Sequence, residues 1–292
     1  MINFRLFLKG AAMGCADLIP GVSGGTIALI TGIYEELINS IRSLDGEALK
    51  LASKLRIEEL WNHVNGTFLL HVLGGILISI FSLSRLITYL LENEPIALWS
   101  FFFGLILVSA FYVLPAKRDL MAIIFLILGA VSAFLITSLG SSSTPDQLWF
   151  VFVAGAIAIC AMILPGISGS FILILLAKYE YVLSAVRAFD LKIIITFGLG
   201  CVVGLLSFSK LIHWLLQHHK SKTMAALAGF MLGSLNKIWP WKEASDVSYT
   251  NLTPTQFTEI TGEPNQLLIA IVFCIAGGAI VILMERFGQR AE

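Results

Sequence analysis

Residues 68–91 read FLLHVLGGILISIFSLSRLITYLL, and 120–139, 193–216 and 266–284 are comparably apolar. An apolar run of about 18 residues or more is long enough to cross the hydrocarbon core of a bilayer. None of these runs alternates apolar and polar residues as a membrane β-strand does, so their backbone must satisfy itself as helix. Charged residues make up 13% of the 292-residue chain, about half of the roughly 25% usual in soluble domains, too few to clothe a water-facing surface. The chain reads as an all-α polytopic membrane protein. Its net charge of zero offers no basic patch for nucleic acid. Cys15, Cys160, Cys201 and Cys274 lie in apolar segments with no C-x-x-C pair, so they read as small residues at helix contacts rather than disulfides or metal ligands. No cofactor or metal is expected. The opening MINFRLFLKGAAMGCADLIPG turns polar and turn-rich from position 13, unlike a cleavable signal.

An internal repeat sets the domain organisation. Residues 10–41, GAAMGCADLIPGVSGGTIALITGIYEELINSI, align with 155–186, GAIAICAMILPGISGSFILILLAKYEYVLSAV, at an offset of 145. Pro20 falls on Pro165, Gly21 on Gly166, Ser23 on Ser168, Gly24 on Gly169, and Glu35 on Glu180. Further along, Ser84-Arg85-Leu86-Ile87 falls on Ser209-Lys210-Leu211-Ile212 at an offset of 125. The first half carries an extra polar stretch at about 46–66, and the second regains the length at 240–265, because loops absorb insertions that packed helices do not. One membrane domain made of repeat 1, about 5–140, and repeat 2, about 148–287, is expected.

Each half opens with two short apolar pieces flanking P-G-[VI]-S-G-[GS]. A piece of about 15 residues reaches roughly 22 Å, short of the roughly 30 Å core, and proline with glycines breaks a helix through the join. Each pair is therefore read as a re-entrant helical hairpin, with Pro20 and Pro165 as its breakers. Three spans follow in each half, at about 67–91, 97–114 and 119–139, then 192–216, 223–239 and 266–286. Three is odd, so the second half enters inverted. Twelve basic residues (Arg5, Lys9, Arg42, Lys50, Lys54, Arg56, Lys117, Arg118, Lys220, Lys222, Arg286 and Arg290) fall on one side against Arg187, Lys192, Lys237 and Lys242 on the other. By the positive-inside rule both termini are cytoplasmic.

Broken segments at matching positions of two halves are the sequence pointer to a transporter site. Gly24, Gly25 and Thr26 open one helix and Gly169 and Ser170 open the other, after Gly21, Ser23, Gly166 and Ser168. Helix N-termini present unpaired N–H groups that suit phosphate or carboxylate, glycines admit an anion to the backbone, and hydroxyls add donors. In an inverted fold the two N-termini can face each other and hold an anion between them. The alternative is that these small residues only let helices pack closely.

Asp17, three residues before Pro20, falls on Met162 in the second repeat. A carboxylate there serves proton coupling or gating, or bonds the loop's N–H groups. Glu35 and Glu180 either sit at the interface or serve the far end of the site in gating. Arg85 and Lys210 either snorkel or capture an anionic headgroup. His71 and His213 read as polar helix contacts, and Trp239-Pro240-Trp241 as an interfacial anchor.

With the preceding Ala-Asp, PGVSGG resembles the signature of the bacterial polyprenyl-phosphate transporter family, PopT, and PGISGS repeats it; the resemblance covers about residues 5–287. It implies a bacterial plasma-membrane protein that returns undecaprenyl phosphate from the outer to the inner leaflet for cell-wall synthesis, by alternating access. By motif position it points to Asp17, Pro20, Gly21, Ser23, Gly24, Gly25 and Thr26, and to Pro165, Gly166, Ser168, Gly169 and Ser170. Met162 and Phe171, at the places of Asp17 and Thr26, make the hairpins chemically unequal. The expected partners are the lipid substrate and surrounding lipids; a homodimer is compatible with the reading. Two rivals stand beside it. An undecaprenyl-pyrophosphate phosphatase would need a full positive charge on the phosphoryl group or a metal, and Gly24 and Gly169 stand where its arginine would be. A small-anion carrier or channel would need a closed aqueous vestibule.

Overall fold

The computed structural model describes residues 3–19, 21–116, 119–142, 144–244 and 249–289. Pro20, Lys117, Arg118 and Arg290, singled out above, lie outside the described residues. The first hairpin is α1 (Phe4–Asp17), α2 (Gly24–Ile30) and α3 (Tyr34–Arg42). The polar stretch folds as α4 (Gly46–Ser53) and α5 (Ile57–His63), and the long helices α6 (Gly66–Asn93), α7 (Pro95–Val113) and α8 (Leu120–Ser138) follow. The second hairpin is α9 (Leu148–Ile163), α10 (Gly169–Leu175) and α11 (Tyr179–Arg187). Next come α12 (Leu191–Ser234), a two-stranded hairpin β1 (Lys242–Ala244) and β2 (Tyr249–Asn251), α13 (Pro254–Thr261) and α14 (Leu267–Gln289).

The chain is an all-α polytopic membrane protein. Among the described residues α6, α7, α8, α12 and α14 are long and apolar enough to cross a membrane. Side chains such as Leu73, Phe81, Leu128, Phe134, Val272 and Ile275 are exposed; on these helices that belt is where lipid lies. At 44 residues, α12 would extend about 66 Å, twice the hydrocarbon thickness. It is interrupted at His219 (φ −138°, ψ 38°), and the Thr223 hydroxyl donates to Leu215 O, eight residues back, at 3.1 Å. A straight helix would separate those residues by about 12 Å, so α12 turns sharply there into two arms. Glu94, at the matching position of the first half, has nearly the same backbone (φ −134°, ψ 48°) and divides α6 from α7. By position the six expected segments correspond to α6, α7, α8, the two arms of α12, and α14, five helices of membrane-spanning length and composition among the described residues.

Close packing repeats the pattern. A Cβ on Gly75 would meet Phe7 O at 2.2 Å, and one on Gly200 would meet Phe152 O at 2.0 Å, so α1 lies on α6 as α9 lies on the first arm of α12. A Cβ on Gly104 would come within 1.9 Å of Cys274 O, and on Gly229 within 2.1 Å of Leu126 O. Likewise a Cβ on Gly277 would meet Phe101 O at 1.9 Å and one on Gly129 would meet Ala226 O at 2.3 Å. The third span of each half therefore packs on the second span of the other half, at an offset of 148 between the third spans. The cysteines sit at such contacts: Cys160 Sγ lies 3.5 Å from Gly204 O and Cys201 Sγ 3.5 Å from Gly155 O.

One difference from expectation lies in the hairpins. The piece 24–41 is not one helix: α2 stops at Ile30 and α3 starts at Tyr34, with Gly32 at φ +73°. The second hairpin breaks at the same place, with Ala177 at φ +50° and α11 bent 105° from α10. Exposed carbonyls at each break need donors. Lys9 Nζ donates to Thr31 O at 2.7 Å, and the Thr144 hydroxyl donates to Leu176 O.

The Trp239-Pro240-Trp241 cluster, expected as an interfacial anchor, holds elements of the fold together. Trp239 Nε1 donates to Leu252 O and Trp241 Nε1 to Asn265 O, both at 2.8 Å. Trp241 is buried with Ile96, Leu252, Phe257 and Ala270. The indoles thereby clamp the β-hairpin onto the ends of α7 and α14, which a sequence window around the three residues does not reveal.

Candidate functional site: the paired hairpin loops

Both loops turn on a glycine in the left-handed region, Gly21 at φ +95° and Gly166 at φ +88°, which other residues enter only at a cost. Pro165 follows α9 and contributes to its ending. Each loop then enters its helix through an extended serine whose hydroxyl caps it. Ser23 Oγ accepts from Gly25 N at 3.1 Å, and Ser168 Oγ accepts from Phe171 N at 3.2 Å.

The two loops meet directly. Gly21 N donates to Ser168 Oγ at 3.3 Å, Gly166 N donates to Thr26 Oγ1 at 2.9 Å, and Ser23 Oγ donates to Met162 O at 3.1 Å. Ser23 and Thr26 are fully buried and Ser168 nearly so. Ser170 Oγ lies 3.1 Å from Ser168 Oγ. A small residue permits this approach, since a Cβ on Gly25 would meet Ile163 O of the other hairpin at 2.7 Å, and another keeps the second hairpin tight, since a Cβ on Gly169 would meet Ala158 O at 2.8 Å. The sequence-expected residues Gly21, Ser23, Gly24, Gly25, Thr26, Gly166, Ser168, Gly169 and Ser170 thus form one cluster.

The two N-termini are closed differently. Asp17 Oδ1 accepts from Gly24 N at 2.7 Å, so a carboxylate of the same hairpin occupies the first turn of α2. Met162 takes the matching place beside α10 and supplies only its main-chain oxygen, to Ser23. Thr26 bonds across the loops, whereas Phe171 at its counterpart lies under Lys237, whose Nζ is 4.5 Å from the ring centroid.

Other expected residues lie elsewhere. Arg85 and Lys210 are exposed on α6 and α12. Glu180 is exposed at the start of α11, and Glu35 pairs with Lys220 at 2.6 Å, joining α3 to the turn of α12. His71 accepts from Asn3 N at 2.9 Å through Nε2 and bonds Thr67 O through Nδ1. His213 bonds Asn39 Oδ1 at 2.5 Å and Arg42, which holds α3 against α12.

Two cavities lie against elements that carry the loops. One of about 410 Å³ is almost wholly apolar, lined by Cys15, Leu90, Leu98, Phe101, Phe102 and Phe273 among others. Cys15 puts its wall two residues from Asp17. The other, of about 290 Å³, has Phe171, Asn236, Lys237, Lys242 and Asn251 in its lining, and a Cβ on Gly21 would meet Lys237 Cγ at 3.0 Å. Sequence reasoning placed Lys237 and Lys242 only in a charge count. Their position on either side of Trp239-Pro240-Trp241 was the available signal.

Comparison with known proteins follows the same lines. Residues 13–255 match the family described as VCA0040-like, undecaprenyl phosphate translocase-like. The chain is 46% identical to a polyprenyl-phosphate transporter of Vibrio cholerae over 97% of its own length and 96% of the relative's. It is 34% identical to a polyprenyl-phosphate transporter of Staphylococcus aureus over 80% of its length and 85% of that protein's. No solved structure matches it. Matched through both hairpin loops and nearly end to end, the chain belongs to the undecaprenyl phosphate translocase-like family.

Proposed function

We propose that this chain carries undecaprenyl phosphate from the outer to the inner leaflet of a bacterial plasma membrane, as a transporter rather than an enzyme. The observation that carries this reading is the hydrogen-bonded meeting of the two hairpin loops, Gly21, Ser23 and Thr26 with Met162, Gly166 and Ser168. Non-helical backbone within a membrane domain persists where protein buries it or where it lines a polar path, and here it forms a seal of N–H and hydroxyl donors. The seal rests on three neutral hydrogen bonds. At about 0.5–1.5 kcal/mol each, they total roughly 1.5–4.5 kcal/mol, small enough to open on a functional timescale.

In this mechanism the two halves are inverted repeats, both termini face the cytoplasm, and each hairpin re-enters the membrane. The cross-packing of α8 on α12 and α14 on α7 supports a rocking movement in which the loops part. The headgroup then replaces the inter-loop bonds with its own bonds to the same donors. The seal holds no arginine, so the phosphate can leave again. The polyprenyl tail stays in lipid, with the apolar cleft beside Cys15 as its path past α6, α7 and α14. Asp17 is the gate's counter-anion: it holds Gly24 N until a phosphate competes for that end of α2. One chain contains both loops, so a homodimer would duplicate the path rather than complete it.

The test is leaflet-resolved movement of a labelled polyprenyl phosphate in liposomes, with a Ser23→Ala/Ser168→Ala variant alongside. Movement in the wild type that collapses in the variant is expected. No movement under any pH gradient or potential, or equal rates in the two proteins, would sink the mechanism.

A further inference from the structure

The two hairpins match in sequence but are unequally packed. Every residue of α2 is buried, from Gly24 to Ile30, whereas in α10 the buried residues are Phe171 and Ile172. Tyr34, which opens α3, is 2% exposed, and Tyr179, its match in α11, is 39% exposed. The joints between the first two spans of each half differ in the same way. In the second half the Thr223 hydroxyl donates to Leu215 O across the turn of α12. The matching residues of the first half, Leu98 and Leu90, line the apolar cleft of about 410 Å³ instead. Equivalent regions of a repeat protein differ in this manner when the molecule rests in one of two exchanging states, shut on one side and open on the other.

The shut side carries a polar latch. The Arg42 guanidinium donates to His213 Nε2, so the ring proton sits on Nδ1 and is donated to Asn39 Oδ1 at 2.5 Å. Glu35 pairs with Lys220 at 2.6 Å. Both contacts tie α3 of the first hairpin to α12 of the second half. The opposite side cannot rebuild this latch. Arg187 and Glu180 match Arg42 and Glu35, but Thr88 and Pro95 stand where His213 and Lys220 do. Arg187, Glu180, Thr88 and Pro95 are all exposed. The Glu35 and Lys220 side chains are themselves 50% and 61% exposed, and ion pairs so exposed stabilise little, which suits a contact that has to release.

We propose that the chain rests open to the outer leaflet, and that Asn39, Arg42 and His213 with Glu35 and Lys220 form its inner gate. The inference rests on the transport reading for the inverted halves and for which face is cytoplasmic. It deepens that reading by giving the two sides unequal gates: a polar latch inside, and outside a seam of apolar contacts around the cleft at Leu90 and Leu98. An unlatched outer side favours waiting for lipid from the outer leaflet. Release of α3 from α12 is then the movement that opens the way inward.

The test measures labelling by a membrane-impermeant maleimide, added from either side of oriented proteoliposomes, as the increment over the native cysteines. Leu98→Cys reports the outer cleft and Thr223→Cys its inner counterpart. Leu98→Cys is expected to react faster from outside than Thr223→Cys does from inside. In a His213→Thr/Lys220→Gln background, Thr223→Cys should react about tenfold faster, the population shift expected for the loss of one or two polar contacts, and Leu98→Cys should slow. Glu35→Lys/Lys220→Glu, which exchanges the charges, should restore the original pattern. Rates that rise together on both sides mean general loosening and overturn the gate, as do unchanged rates. Faster labelling from inside in the unlatched-free parent overturns the outward resting state. A second readout joins Asn39→Cys to His213→Cys with a short bifunctional thiol reagent: the joined chain should stop carrying lipid and recover on reduction, and undiminished transport overturns the gate. The liposome assay separates the two readings. Lipid movement in wild type with labelling unmoved by the latch variant sinks the gate alone. No lipid movement in wild type with the reciprocal labelling shift intact sinks the lipid-phosphate substrate alone.

Discussion

The Asp17 carboxylate accepts the Gly24 amide at 2.7 Å, so the first hairpin caps its own helix with a negative charge, while the second hairpin has Met162 in that place. A Cβ on Gly24 would come within 2.6 Å of Asp17 Oδ2, which explains why glycine follows Ser23. Asp17→Ala leaves a buried amide unpaired and is expected to cost about 1–3 kcal/mol. Asp17→Asn keeps an acceptor and should cost less. If the carboxylate competes with phosphate for Gly24, Asp17→Asn still changes the transport rate in liposomes. Equal melting and equal transport for wild type and both variants would refute this role.

The symmetric helix contacts give a second expectation. Gly104→Ala and Gly229→Ala each drive a methyl group into a backbone carbonyl, of Cys274 and Leu126 respectively. Each should destabilise by roughly 1–3 kcal/mol or more, as overpacking does. Gly198 has nothing within 4 Å of its Cβ position, so Gly198→Ala should be neutral or mildly stabilising through helix propensity. Thermal unfolding in detergent distinguishes the three.

Lys178 predicts an asymmetry. Its side chain is 1% exposed and pairs at 2.6 Å with Asp146, which is 68% exposed; Lys178 Nζ also donates to Thr144 O at 2.9 Å. Removing Asp146 strands a buried ammonium, whereas removing the lysine charge leaves a carboxylate that water can solvate. Asp146→Ala should therefore destabilise more than Lys178→Met, by about 1–2 kcal/mol, within the range for broken buried pairs. A double-mutant cycle with the two single variants measures it.

Much of this protein was legible in its residues. Apolar runs such as 68–91 admit only helix in a membrane, and their length set the spans that became α6 and the first arm of α12. The doubled P-G-x-S-G motif announced both loops because its glycine and serine act locally, on the turn and cap that they themselves form. What local chemistry cannot carry is partnership between distant segments. That Thr26 bonds Gly166, that Gly104 meets Cys274 rather than a helix of its own half, and that Lys237 and Lys242 share a cavity with Phe171 depends on how two halves interlock. The short hairpin helices gave a further surprise at Gly32 and Ala177, where tertiary donors, Lys9 and Thr144, meet carbonyls at a break. The sequence determined which segments are long apolar helices and where the two P-G-x-S-G loops turn. Only the tertiary structure decided which donors face each other, because that choice is made by close packing at glycines whose partners lie more than a hundred residues away.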